Sequence, residues 1–247
     1  MLMINNDVVA QTLNMRECIE VQEEAFAGLL HGKAIFRPRI DTYVPCDRED
    51  GYYRFGTVEG SSGGYYAVRL KSDIVHWPKG EDGSVSESKY CMQPGTFCGL
   101  VILYSAGNGE PLAIMPDGVM QRMRVGATNG LAVKYLAREN ARSIGILGSG
   151  WQAATQLIGA CTVRNIEVIR CFSPTKANRE TFAREMSATL GVKVVPVETP
   201  DEAVKGSDIV MCASNTIDPI FFKKWMEPGM HITSIKRPEI GADVLKA

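Results

Sequence analysis

The stretch Ser143-Ile144-Gly145-Ile146-Leu147-Gly148-Ser149-Gly150-Trp151-Gln152-Ala153 decides how the chain is read. Its apolar run, residues 144–147, predicts a short buried strand of a parallel sheet. Gly148, Gly150 and Ala153 follow in G-x-G-x-x-A spacing, and residues 152–163 carry helical character. Strand, glycine turn and helix in that order form a dinucleotide-binding fingerprint. Gly148 permits the tight turn. Gly150 leaves no Cβ between the backbone and a pyrophosphate. Ala153 lets the helix lie close to the strand. The helix start then offers free N–H groups and a positive dipole end to phosphate. Trp151 and Gln152, on that first turn, are counted with them as cofactor-binding.

Downstream the pattern alternates. Strands are predicted at 144–147, 167–172, 193–196, 208–213 and 231–235, and helices at 152–163, 176–190 and 200–204. Such alternation predicts a doubly wound parallel sheet. Upstream the reading changes. Residues 7–30 predict a helix pair, the second helix opened by Asn14 with Glu17 three residues on and closed by Gly32. Strand-like pieces at 40–44, 52–57, 65–71, 97–104 and 112–115 predict a mainly antiparallel sheet. Gly60-Ser61-Ser62-Gly63-Gly64 and Trp77-Pro78-Lys79-Gly80-Glu81-Asp82-Gly83 read as loops, and 117–138 as a helix with a small-residue stretch, Gly126-Ala127-Thr128. The expectation is an α/β chain with an α+β domain over 1–120 and a Rossmann-like domain over 121–247.

Composition narrows the function classes. The 247 residues are 45% hydrophobic and 22% charged, ordinary for a globular protein, with a net charge of -1. No basic surplus points to nucleic acid or an anionic membrane. No apolar run approaches the roughly 20 residues of a membrane helix, and the N-terminus lacks a signal-peptide pattern. The 7 cysteines are scattered without a C-x-x-C, which predicts reduced thiols and a cytoplasmic protein. The 3 histidines are far apart, and no metal site is expected.

With both halves in view, the chain resembles the ornithine cyclodeaminase/mu-crystallin family over nearly its whole length. The resemblance is carried by Arg37-Pro38-Arg39, Val68-Arg69-Leu70-Lys71-Ser72-Asp73, Pro94-Gly95-Thr96, Gly109-Glu110-Pro111-Leu112-Ala113, Arg122-Met123-Arg124-Val125-Gly126-Ala127-Thr128, Lys134-Tyr135-Leu136-Ala137 and the glycine turn. It implies a homodimer that binds NAD or NADP and oxidises or reduces small amino acids and cyclic imines, with the domain over 1–120 carrying the substrate site and the dimer contact.

Arg39 and Arg124 match the family's carboxylate-binding arginines, whose planar fork suits a bidentate grip. Lys71 matches its active-site lysine. It closes the β-like run 65–70 and so is expected at a strand end, with Arg69 and Asp73 on its face. After the second Rossmann strand no acid stands ready for the ribose hydroxyls. Ser173, Thr175, Lys176 and Arg179 stand there instead, so NADP(H) is favoured over NAD(H).

Two departures shape the functional expectation. The aspartate that the cyclodeaminase branch carries after the fifth strand falls on Pro238, and Glu239 follows it. The chain ends at Ala247, where the family resemblance implies a further strand and helix, so the second domain is expected to be truncated. The leading reading is an NAD(P)-dependent oxidoreductase acting as imine reductase or amino-acid dehydrogenase. The alternatives are an ornithine cyclodeaminase and a crystallin-like NADP-binding protein without turnover.

Overall fold

A computed structural model describes residues 1–80, 83–90 and 99–246. The Pro94-Gly95-Thr96 motif and the first two residues of the strand predicted over 97–104 lie outside the described residues. The chain divides into two compact units, Met1–Lys79 with Glu87–Arg124, and Gly80–Ser86 with Val125–Ala247.

The first unit opens with a short strand, β1 (Leu2–Met3), and two helices, α1 (Asn6–Thr12) and α2 (Met15–Leu30). Each helix begins at an asparagine. Asn5 Oδ1 accepts from the Val8 N–H at 2.9 Å and Asn14 Oδ1 from the Glu17 N–H at 3.0 Å. Each cap is worth about 1 kcal/mol. The helices bury Val9, Met15, Cys18 and Ile19. Then come β2 (Ile35–Pro45), β3 (Gly51–Ser62), β4 (Tyr65–His76), β5 (Ser88–Tyr90), β6 (Gly99–Ser105) and β7 (Pro111–Pro116). The sheet runs β1-β7-β6-β4-β3-β2, with β5 on the end of β4. Among the described strands of this sheet only the β1–β7 pairing is parallel.

Two expectations are corrected here. Residues 60–62 belong to β3, not to a loop. The reversal is confined to Gly63 and Gly64, at φ 58° and 83°, so that Ser62 pairs directly with Tyr65. Both central residues at positive φ match the right-handed twist of the flanking strands, which glycine permits at no steric cost. Lys71 is also not at a strand end, because β4 continues five residues further, to His76.

Helix α3 (Gly118–Leu136) follows, with the division between the units falling within it. The second unit alternates β8 (Ser143–Leu147), α4 (Trp151–Val163), β9 (Val168–Phe172), α5 (Lys176–Leu190), β10 (Lys193–Pro196), α6 (Pro200–Val204), β11 (Ile209–Cys212) and β12 (His231–Ser234). All pairings are parallel, in the order β10-β9-β8-β11-β12. This is the Rossmann-like doubly wound arrangement, with its switch point beside β8.

Both faces of this sheet are covered. Ile144, Ile146, Ile169 and Met211 pack with Leu157, Phe182 and Met186 on one side. Leu147, Val210 and Cys212 pack with Val204 and Phe221 on the other. Burial on both faces explains why the strands read as continuous apolar runs. The Gly126-Ala127-Thr128 stretch also finds its reason. A Cβ on Gly126 would lie 2.4 Å from the Thr155 carbonyl oxygen, and one on Gly159 would lie 2.1 Å from that of Gly126. Helices α3 and α4 touch backbone to backbone there.

Candidate active site

Antiparallel register places the first unit's chemistry in rows. Asp41, Gly56, Lys71 and Gly99 pair in sequence across β2, β3, β4 and β6. Tyr43, Arg54 and Asp73 form the next row on the same face. Lys71 therefore stands mid-strand between two glycines. Neither tolerates a side chain. A Cβ on Gly56 would lie 2.1 Å from Asp41 Oδ1, and one on Gly99, at φ +152°, 1.8 Å from the Leu70 carbonyl oxygen.

The charges on this face are mutually paired. Arg54 grips Asp73 with two hydrogen bonds, Nε to Oδ1 at 2.9 Å and Nη2 to Oδ2 at 2.8 Å, and both side chains are buried. Lys71 Nζ is 3.8 Å from Asp73 Oδ2. Burial drives the Lys71 ammonium down to about 8. The Asp73 carboxylate opposes that shift, and the charges of Arg54, Lys89 and Arg39 reinforce it. Arg69 donates to Asp117 Oδ2 at 2.8 Å through Nε. Arg39 pairs with Asp41 Oδ2 at 2.9 Å, while Asp41 Oδ1 is buried without a hydrogen-bond partner.

Arg124 feels the charges of Arg69, Asp117, Cys18 and Arg39. Protein packed around it, then Arg69, hold its guanidinium below the usual arginine value. The residue as a whole is exposed, so water screens much of that effect. Arg39 is thus within electrostatic reach of both Lys71 and Arg124, and the structure brings the three sequence-expected residues into one charged neighbourhood. Arg54, Asp117 and the flanking glycines were not singled out by the sequence. Cross-strand register is what joins them to Lys71, and no local pattern carries it.

In the second unit the residues fit a dinucleotide. Gly148 sits at φ +132°, and a Cβ there would lie 2.1 Å from the Ala213 carbonyl oxygen. Gly150 caps α4 without a side-chain hydrogen bond, and nothing lies within 4 Å of where its Cβ would be. Open space in front of uncapped helical N–H groups is what a pyrophosphate requires. Ala153 is fully buried against the sheet, Gln152 is half-buried, and Trp151 is exposed. Ser149 Oγ donates to Ser173 Oγ at 2.9 Å, tying the glycine turn to the end of β9.

The residues after β9 divide into two kinds. Thr175 caps α5 without a side-chain bond, and Lys176 is exposed, 3.8 Å from Glu180. Arg179 is different. It is buried, donates to the carbonyls of Ser173 at 3.2 Å and Pro174 at 3.3 Å, and pairs with Glu198. Its guanidinium shapes the loop, whereas the sequence reading gave it as a phosphate ligand alongside Ser173, Thr175 and Lys176.

Glu239 lies in a short 3-10 turn, Arg237–Glu239, and is fully buried. Oε1 accepts from the Ser214 N–H at 2.6 Å and its hydroxyl at 2.8 Å. Oε2 accepts from the Ser234 hydroxyl at 2.8 Å and the Ile235 N–H at 3.2 Å. The carboxylate clamps the segments leaving β11 and β12, with both oxygens occupied.

The profile of the Ornithine cyclodeaminase/mu-crystallin family matches residues 1–246. The chain is 32% identical over 140 residues to a Delta(1)-pyrroline-2-carboxylate reductase of Bacillus cereus, a match covering 57% of this chain and 43% of that protein. It thus spans less than half the length of that relative. The Thermococcus litoralis Delta(1)-pyrroline-2-carboxylate reductase, solved with NADH and L-proline, superposes with a TM-score of 0.81 at 29% identity, over 100% of this chain and 73% of that one. An archaeal alanine dehydrogenase dimer with bound NAD gives 0.75 at 27%, over 94% and 66%.

Proposed function

This chain belongs to the ornithine cyclodeaminase/mu-crystallin family, and on that premise we propose that it is an NAD(P)-dependent oxidoreductase that reduces small cyclic imino acids to amino acids. The carrying observation is Lys71, buried between two glycines and drawn down to about 8, within electrostatic reach of Arg39. The first unit is assigned the substrate and the second the dinucleotide. Arg39 and Arg124 hold the substrate carboxylate. Asp41 steadies Arg39 through the 2.9 Å ion pair. The bound nicotinamide supplies the hydride. As the imine carbon gains hydrogen, its nitrogen gains basicity, and the Lys71 ammonium delivers a proton there and is reprotonated from water. A group near 8 is well matched to this near neutral pH.

Reduction is preferred over cyclodeamination because the acid that would manage amine protons is missing. Pro238 has none, and both Glu239 oxygens are already engaged with Ser214, Ser234 and Ile235. NADP(H) is favoured over NAD(H), since Ser173, Thr175 and Lys176 follow β9 where a ribose-binding acid is absent. Cytoplasmic residence fits the 5 free cysteines named among the described residues, Cys18, Cys46, Cys161, Cys171 and Cys212. No helix among the described residues is long and apolar enough to cross a membrane.

The test uses two incubations. With a cyclic ketimine carboxylate, NADPH should be consumed and the cyclic amino acid formed. With L-ornithine and catalytic NAD, no proline or ammonia should appear. The reverse pair of results would overturn the assignment. Fluorescence titration should show tighter binding of NADPH than of NADH, and equal affinities would remove the NADP preference.

The same reading includes a homodimer formed on the first unit's sheet. Ile40, Val44 and Phe55 share the face opposite Lys71 and are 61%, 44% and 40% exposed. Strand β2, a long edge, needs cover. Light scattering at micromolar concentration should give twice the chain mass, and a monomer mass would contradict it.

A further inference from the structure

Lys71 carries its role only if its charge is held in balance, and the two rows around it contain the groups for that. Asp73, two residues along β4, is the one carboxylate at ion-pair distance from Nζ among the described residues. Both of its oxygens are gripped by Arg54 from β3. Arg39 from β2 and Lys89 from β5 add positive charge, and Asp73 adds the negative charge that opposes it. The side chains of Arg54, Lys71 and Asp73 are 4%, 7% and 0% exposed, so water does little to screen them.

We propose that the Arg54–Asp73 pair is a positioning device that sets the charge on Lys71: Asp73 holds the ammonium in place, and Arg54 limits how strongly it does so. This rests on the reading of Lys71 as the proton donor. If Asp73 faced Lys71 alone, it would form a full ion pair and keep the proton too firmly for transfer near neutral pH. Without Asp73, Lys71 would face Arg54, Arg39 and Lys89 and lose its proton too early. The bidentate geometry also locks Asp73 in one orientation, because each oxygen is tied to a different nitrogen of a planar fork. Arg54 in turn is held by Asp73 and Tyr43 and feels the charge of Glu87, and its guanidinium lies above the usual arginine range despite burial. Arg54 therefore stays charged throughout the working pH range.

The prediction is a pair of shifts with opposite signs. Arg54→Gln removes the competing cation but keeps a donor for Asp73, so the Lys71 titration should rise by about one pH unit. Asp73→Asn removes the carboxylate, so it should fall by about one unit. The readout is the pH dependence of Lys71 acylation by a small anhydride, followed by mass spectrometry of the Lys71 peptide, which requires no turnover. Arg54→Lys keeps the cation and should bring the midpoint back toward the parent. A purely structural role would disturb labelling without reversing its direction. Midpoints unchanged in both variants, or moved the same way, would overturn the inference. If Asp73→Asn does not fold, an Arg54→Gln midpoint that fails to rise, or an Arg54→Lys midpoint as high as that of Arg54→Gln, overturns it alone. The pH profile of kcat/KM decides the separate question: midpoints that move oppositely while the rate profile stays fixed keep the inference and remove Lys71 as donor.

Discussion

Replacing Lys71 with methionine is expected to stabilise the protein by about 2–3 kcal/mol at pH 7 and to lower kcat/KM for imine reduction by at least about a hundredfold. The stability gain comes from the ammonium's burial. Its folded value near 8 lies below the ordinary 10.5, so the unfolded chain holds the proton more tightly than the folded one does. The cost of keeping Lys71 charged in the fold is present in full below pH 8. It fades as pH rises from 8 toward 10.5, where the unfolded lysine also becomes neutral. Methionine has a similar length and no charge, and Arg54 and Asp73 still satisfy each other. Urea denaturation at fixed protein concentration should show the gain at pH 7 and its loss near pH 10.5. A variant less stable at pH 7, or a gain independent of pH, would contradict the burial argument. The expected activity loss rests on the proposed role of Lys71 as proton donor. Methionine leaves carboxylate binding untouched, so the loss should lie in kcat more than in KM.

A residue that lowers stability while it serves a reaction is hard to recognise in sequence. The second unit was legible because its central strands, β8 and β11, are buried on both faces and strands alternate with helices along the chain. The strand over Lys193–Pro196 and the helices Lys176–Leu190 and Pro200–Val204 stand where the alternating pattern put them, and the fold shows their ends set by Gly191 in the left-handed region and by the Thr199 cap. The first unit was legible in its elements but not in their extent. Strand β3 runs through Gly60-Ser61-Ser62, residues with no strand preference, because β2 and β4 offer partners on both sides. Strands β1 and β5 exist only through pairing with β7 and β4, and two or three residues carry no periodicity of their own.

The candidate site divides the same way. Arg39, Lys71 and Arg124 were legible through family resemblance, and Gly148 and Gly150 through spacing. What was illegible needed register. Arg54 is 17 residues before Lys71 in the chain but shares a face with it, one row along the sheet. Arg179 and Lys176 look alike in sequence as cations at a helix start. Only the fold shows one buried against Ser173, Pro174 and Glu198 and the other exposed. Glu239 is likewise an acid beside the position where one is wanted. Its four hydrogen bonds turn it from a candidate base into a clamp.

The two glycines of the turn are expected to fail in opposite ways when each is replaced by valine. Gly148→Val should cost more than about 3 kcal/mol of stability. A β-branched residue is strained by about 1–3 kcal/mol in a disallowed backbone region such as φ +132°, and overpacking adds a similar amount. That overlap is with main chain, since the Cβ would lie 2.1 Å from the Ala213 oxygen and 2.6 Å from its carbonyl carbon. No side-chain movement relieves it, because Ala213 continues β11 at the middle of the sheet. Gly150→Val meets neither obstacle. Its φ of -88° and ψ of -179° are open to any residue, and nothing lies within 4 Å of the new Cβ. Its stability should stay within about 1 kcal/mol of the parent, the scale of a changed N-cap. Yet it should lose cofactor affinity by about a hundredfold or more, ~2.7 kcal/mol, because the branched side chain fills the space before the first N–H groups of α4. Urea unfolding and nicotinamide fluorescence on the same two variants separate the cases. A Gly150→Val protein that binds NADPH like the parent would mean that the open space in front of α4 is not where the phosphates go. A Gly148→Val protein as stable as the parent would mean that the backbone contact with Ala213 gives way more easily than a packed parallel sheet should. The two glycines thus separate two unrelated demands, an inward backbone contact at Gly148 and open space before α4 at Gly150, and only the second bears on the proposed function.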